Sequence, residues 1–267
     1  MIDLGKKNVL GVMVDATDRE GAVARVVKAA EESTRFAASA LAVHGVMTGR
    51  DGSQRARLNA LDLVVPDGQP VRWALNLMYR TGLDVPVRGT DFARSIIECA
   101  ARKRLPVYFY GSRPDVLAEL QSRLLRAFPD LQVAGLEPSK FRRAEGQELD
   151  QIAAHINASG ARVVLVGLGC PRQESFVYEM RPRVDVPLVA VGAAFDYMAG
   201  SLREPPQAMS RNGLEWLWRL ALEPRRLWRR YLVLNPYYVV LLALQATGVW
   251  SPRNHSHPTP PAERVSI

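Results

Sequence analysis

The chain has little of what staples or anchors a small protein. Only two of its 267 residues are cysteines, Cys99 and Cys170, far apart and without metal-type spacing. That excludes a disulfide framework and a zinc site, and it suits a reducing cytoplasm. Long apolar runs are missing too. The run from Val9 to Val14 is closed by Asp15, too early for a secretory core. Tyr237 to Trp250 is largely apolar but is interrupted by Gln245 and Thr247 and falls short of the roughly 20 residues that span a bilayer. The chain is therefore expected on a membrane surface at most, peripheral on the cytoplasmic side. No G-x-x-x-x-G-K-[ST] run occurs, which argues against a P-loop kinase or ATPase. Asp-x-Asp, the carboxylate pair that grips a divalent ion on a nucleotide sugar, is also absent, and the four histidines do not cluster. Neither a metal nor another cofactor is expected.

What is present points to a large core and an anionic partner. Hydrophobic residues make up 48% of the chain, and 35 Lys and Arg face 27 Asp and Glu, a formal charge of +8. Nucleotides, nucleic acid and acidic lipid headgroups all answer to that charge.

Short runs rich in Val, Ile and Leu alternate with longer amphipathic stretches, the pattern of βαβ units around a parallel sheet. Buried strands are expected at Val9 to Val14, Leu61 to Val65, Val107 to Tyr110, Val163 to Val166 and Leu188 to Val191. Helical patterns cover Glu20 to Glu32, Asp91 to Arg104, Pro114 to Phe128 and Glu145 to Ser159. The expectation is a Rossmann-like α/β domain over residues 1–200, with helices on both faces of a mostly parallel sheet. A helical appendage rich in arginine and aromatic residues follows at 201–250. Residues 251–267, with four prolines and few apolar side chains, read as a disordered tail.

Ligands of open parallel sheets bind beyond the carboxyl ends of the strands, so the loops there carry the candidate chemistry. After Leu61 to Val65 comes Pro66, Asp67, Gly68, Gln69, Pro70, a tight turn that displays a carboxylate suited to base catalysis. The same Asp67 equally suits a cap on a helix starting near Pro70. After Val107 to Tyr110, Gly111 and Ser112 lead into a helix whose free N–H groups favour a phosphate, or make an ordinary turn. The third loop runs Gly167, Leu168, Gly169, Cys170, Pro171, Arg172, Gln173, Glu174. Arg172 stands where a dinucleotide fingerprint needs its third glycine, which disfavours a Rossmann dehydrogenase. Gln173 and Glu174 then lie near any bound pyrophosphate or sugar. Phe195 and Asp196 follow the last strand, suited to a base or ribose, with core packing the alternative for Phe195. A lone His44 reads as structural more readily than functional.

In the appendage, Arg219 to Arg230 holds five arginines and one glutamate. At about 100° per residue, Arg225, Arg226, Arg229 and Arg230 share one helical face, and Leu227, Trp228, Tyr231 and Leu232 share the opposite one. That suits an anionic membrane interface, and also a surface helix packed on a core.

Taken in order, Pro66-Asp67-Gly68, Tyr110-Gly111-Ser112, GLGCPRQE from Gly167 to Glu174, Phe195 to Gly200, and Gly213 to Trp216 with Glu223 to Arg226 resemble the WecG/TagA/CpsF family of glycosyltransferases. The resemblance implies an inverting, metal-independent transfer from a UDP-sugar to a polyprenyl-pyrophosphate-linked sugar in cell-envelope polysaccharide synthesis, with the appendage touching the membrane and completing the site. Nucleic acid is then not a partner, and a homo-oligomer is compatible. It implies Asp67 as general base and Gln173 near the donor. The substrate-binding set is Gly68, Gln69, Arg88, Gly89, Asp91, Gly111, Ser112, Gly167, Gly169, Pro171, Glu174, Phe195 and Asp196, with Arg219, Arg225 and Arg226 from the appendage. Two positions depart from the family pattern. Ala40, Leu41 and Ala42 stand where many members carry Thr-x-Asn, and Pro86 stands in place of an arginine for which Arg88 can partly substitute.

Overall fold

A computed structural model describes residues 1–252, so most of the expected disordered tail lies outside the described residues. The chain opens with β1 (Asp3–Val9) and β2 (Val12–Thr17), paired antiparallel as a two-stranded sheet of their own. This corrects the single strand expected over Val9 to Val14. Leu10 and Gly11 both take positive φ (53° and 93°), and the Asn8 side chain accepts the Gly11 N–H at 2.7 Å, so the apolar run folds back on itself. Asp15 does not end a strand either. It lies inside β2, almost fully buried, ion-paired to Arg25 at 2.8 Å and accepting the Val64 N–H at 2.7 Å. The hairpin thereby covers the open edge of the main sheet, where unpaired N–H groups are a liability.

The rest alternates as expected. α1 (Arg19–Glu31) starts at Asp18, whose carboxylate caps the Gly21 N–H. β3 (Ala37–Leu41), α2 (Val43–Thr48), α3 (Gly52–Asn59), β4 (Leu63–Pro66), α4 (Gln69–Tyr79) and α5 (Gly89–Lys103) follow. Then come β5 (Val107–Gly111), α6 (Pro114–Ala127), β6 (Val133–Glu137), α7 (Gln147–Ala158), β7 (Val163–Gly167), α8 (Arg172–Met180), β8 (Leu188–Ala190) and α9 (Ala194–Met198). β3 to β8 form one parallel sheet in the order β4-β3-β8-β7-β5-β6. Alternation along each strand feeds two cores. Leu41, Val64, Tyr110, Val166 and Ala190 face one, while Ala40, Val65, Phe109, Leu165 and Val189 face the other. Helices cover both faces, the three-layer arrangement of an α/β fold.

Beyond Gly200 the chain is helical: α10 (Gln207–Arg211), α11 (Glu215–Leu222), α12 (Pro224–Trp228), a π-helical stretch over residues 229–234, and α13 (Asn235–Ala246). α13 docks on the core: Tyr238 is buried with its hydroxyl donating to the Pro70 carbonyl, and Gln245 accepts the Leu10 N–H and donates to the Asn8 carbonyl. The expected apolar face along 225–232 divides in two. Leu227 and Tyr231 are buried, but Trp228 and Leu232 are 44% and 56% exposed. The buried stripe is the single i,i+4 pair Leu227 and Tyr231, and the π-helical stretch breaks the 3.6-residue period on which the wider stripe depends.

Candidate active site

A cleft of about 810 Å³ opens over the carboxyl ends of the central strands. Its floor is built from the loops after β3, β4, β7 and β8, and its far wall from the appendage, which contributes Glu215, Arg219, Arg226, Arg229 and Arg230.

Gln173 and Glu174 organise the floor. The Gln173 Oε1 accepts the N–H groups of Gly169 (3.1 Å) and Gly192 (3.0 Å), joining the loops after β7 and β8. Its Nε2 donates to Glu174 Oε1 at 2.9 Å, and Ser39 Oγ donates to the same oxygen at 3.0 Å. Both side chains are buried, and burial pushes the Glu174 carboxyl up, opposed by the hydrogen bonds from Gln173 and Ser39. The oxygen of the amide expected beside the donor thus holds two loops together, and one N–H of its Nε2 goes to Glu174. Gly169 and Gly192 take positive φ, 76° and 65°, which a side chain would strain.

Gly111 and Gly167 serve packing. A Cβ on Gly111 would stand 2.5 Å from the Gly167 carbonyl oxygen, and one on Gly167 would stand 2.7 Å from the Phe195 ring. Phe195 is wholly buried and meets Phe109 edge-on at 5.7 Å, so its placement is that of a core residue and corrects the expectation of a ligand contact.

Asp67 lies where the floor meets the appendage wall. It does not cap α4: that helix starts at Gly68 with no side-chain cap, and Asp67 Oδ1 instead accepts the Gly89 N–H at 3.4 Å. Burial, reinforced by the nearby Glu215 carboxylate, raises its pKa to about 6, with Arg88, Arg219 and the Gly89 N–H pulling the other way. Arg88 is held by the appendage, its Nε donating to Glu215 Oε2 at 3.0 Å and its Nη1 3.5 Å from Asp91. Burial disfavours the Arg88 charge, but Glu215 and Asp91 outweigh it and raise its pKa. Arg88, although displaced from the family position now held by Pro86, thus reaches the cleft. Ala40 and Ala42 line the cleft with methyl groups only.

Of the remaining expected residues, Gly89, Ser112, Asp196, Arg219 and Arg226 border the cleft. Gly68 and Gln69 border a smaller cavity beside Asp67. Pro171, whose peptide bond from Cys170 is cis, faces a separate side pocket with Tyr110 and Phe176. Arg225 lines none of these three cavities.

The cleft is also lined by residues outside the expected set, among them His44, Arg172, Arg229 and Arg230. His44 faces it, and burial, with the Arg230 charge beside it, lowers its pKa to about 4, so the imidazole is neutral near pH 7. Arg172 was visible within the third loop, and its position beside Gln173 is the signal that marks it. Arg229 and Arg230 were expected on one helical face with Arg225 and Arg226. Burial lowers the Arg230 pKa, and Arg219 adds repulsion. The Arg219 Nε is buried with no hydrogen-bond partner. A group of partly buried guanidinium ions, Arg88, Arg219 and Arg230, around an acidic residue fits a ligand of several negative charges. Among the described residues, no three His, Cys, Asp or Glu side chains come together to hold a metal ion, and no helix is long and apolar enough to cross a membrane.

Two comparisons bear on this site. The chain is similar, at 33% identity over 190 residues and 70% of each chain, to an N-acetylglucosaminyldiphosphoundecaprenol N-acetyl-beta-D-mannosaminyltransferase of Bacillus spizizenii. The model of the WecG/TagA/CpsF glycosyl transferase family matches residues 7–251, from the hairpin to the end of the appendage, and the chain belongs to that family.

Proposed function

We propose that this glycosyltransferase moves N-acetylmannosamine, or a closely related sugar, from a UDP-sugar to a sugar linked through diphosphate to a polyprenol, with inversion and without a metal. The observation that carries the reading is Asp67, a carboxylate with its pKa raised to about 6, at the meeting of a loop-built floor and an arginine-rich wall. A base tuned near working pH is half ionised where proton transfer is most effective. Its carboxylate takes the proton from the acceptor hydroxyl as the oxygen attacks the anomeric carbon. The bond to the nucleotide diphosphate breaks on the opposite face. Charge gathering on the departing diphosphate is met by guanidinium groups, Arg219 foremost, since its Nε is buried without a partner. Activity then survives EDTA.

The two-part organisation enters the reading as well. Residues 1–200 supply the floor, and 201–250 supply both the wall and an outward surface bearing Trp228, Leu232, Val233 and Val240, all more than 40% exposed. That surface suits shallow insertion at an anionic membrane. A nucleotide-binding oxidoreductase would need an open dinucleotide loop, whereas Gln173 ties this one down. A panel of UDP-sugars offered with N-acetylglucosaminyl diphosphate on a polyprenol tests the proposal, with the anomeric configuration of the product read by NMR. A product formed from one donor with inverted configuration supports it. Turnover of NAD instead, or no transfer from any nucleotide sugar, would overturn it.

A further inference from the structure

Asp67 is reached from two sides. Besides the large cleft, a cavity of about 100 Å³ ends on the same carboxylate, walled by Pro70, Ser210, Trp216 and Tyr231. The two cavities share Arg88, Arg219 and Arg230 as well as Asp67. Inverting transfer needs the acceptor hydroxyl between the base and the anomeric carbon, so a second cavity that ends on Asp67 is placed to bring in the acceptor while the cleft holds the donor. The cleft has the volume for a nucleotide sugar, and it alone carries Arg226 and Arg229. The small cavity combines shared guanidinium groups with an indole and a phenol ring, surfaces suited to a diphosphate and the apolar face of a pyranose.

The wall of the small cavity continues outward. Gln69 and Pro70, on that wall, open α4, and on the exposed side of the same helix Trp73 and Leu77 lie one turn apart, 47% and 67% exposed. Trp73 sits at the seam with the appendage, where a Cβ on Gly213 would stand 3.0 Å from its ring. Single exposed apolar side chains need no explanation. A pair in helical register, leading from a cavity that holds arginines, has the layout of a lipid exit.

Resting on the function proposed above, we propose that the small cavity takes the diphosphate-linked sugar of the acceptor and that its isoprenoid chain leaves across Trp73 and Leu77. The core, and not only the appendage, then meets the lipid.

Two variants of the full chain test this by direct binding, with N-acetylglucosaminyl diphosphate carried on an undecaprenol-length chain in neutral vesicles or on a short water-soluble alkyl chain. Ser210→Tyr fills the small cavity and is expected to weaken both acceptors at least tenfold while UDP binds as in the parent. Trp73→Gln with Leu77→Gln changes only surface residues and is expected to weaken the long-chain acceptor about tenfold and the short-chain one less than twofold. Equal losses on both acceptors in the surface variant, unaltered acceptor binding in Ser210→Tyr, or loss of UDP binding in either would overturn the proposal, as would a parent that binds neither acceptor. Because binding is read apart from transfer, a parent that binds acceptor in the expected pattern but transfers no sugar overturns the proposed reaction and leaves the assignment of the cavity standing.

Discussion

The two walls of the cleft are held in different ways. On the core side, Gln173 and Glu174 are buried and cross-linked to Gly169, Gly192 and Ser39, so the floor is fixed before any ligand arrives. On the appendage side, α11 has no buried residue at all, and Leu227, Tyr231, Tyr238 and Leu241 are the buried anchors of the helices after it. Its arginines face one another with few partners. The contrast teaches that shape is set by the core and much of the charge by the appendage, and an anion bound between its arginines adds stability to the appendage wall.

The comparison is tested most sharply at Asp67, which stands between the walls. Asp67→Asn keeps the shape and removes the base, and turnover is expected to fall about 10²- to 10⁴-fold. UDP affinity should hardly change. In the parent, turnover should fall as pH drops through about 6, where the carboxylate takes up its proton, and the variant should lack that limb. Because the folded pKa lies above the ordinary value of 3.8, ionised Asp67 costs stability above about pH 6 and nothing below the unfolded value. The variant's Tm should therefore exceed the parent's at pH 8 and match it at pH 3.5. Near-normal turnover at saturation would remove Asp67 from the mechanism.

Next in size is Arg219→Ala, on the charged wall. Losing a charge-assisted bond to the donor diphosphate is worth about 1.5–3 kcal/mol, so UDP binding by calorimetry should weaken about 10- to 100-fold. Arg219→Lys, without the planar fork, should restore part of it. Gln173→Ala, on the rigid wall, should do the reverse. It strands two N–H groups and costs about 1–3 kcal/mol of stability, visible in denaturant melts. If Arg219→Ala destabilises the fold more than Gln173→Ala does, the division of labour is wrong. The smallest effect concerns the outer surface. Arg225 should contribute about 1 kcal/mol to anionic vesicles, so Arg225→Ala should sediment several-fold less with them at low salt and equally at high salt.

The sheet was legible where strands are buried on both faces: the runs at Val107 and Val163 are continuous in β-branched and aromatic residues, and so are read without ambiguity. β3 was less plain because Ala37, Ala38 and Ala40 carry little β-preference. β6 was missed because it is an edge strand, only half-buried along its length, with Gly135 inside it. The hairpin was hidden by a turn that places Leu10, not a usual turn residue, at positive φ. Asp67 and Gln173 were singled out from loop position and motif together, and Arg88 from the arginine that the family pattern places at Pro86; all three line the cleft. What the motif does not say is that Gln173 spends its amide on the backbone. His44 was weighed and read as structural because its charged neighbour Arg230 lies far along the chain and is not written in its own segment, and Arg229 and Arg230 were read only from a helical wheel, whose period the π-helical stretch breaks.

The Gln245 amide that clasps Leu10 and Asn8 also has a temporal consequence. Its partners lie 235 and 237 positions earlier in the chain. On a ribosome the hairpin emerges long before its clasp, so the turn waits with open backbone groups while the intervening chain is made. The arginine wall rides on the same late segment. A nascent chain therefore has Asp67, Arg88 and the floor before it has the arginines of the appendage wall.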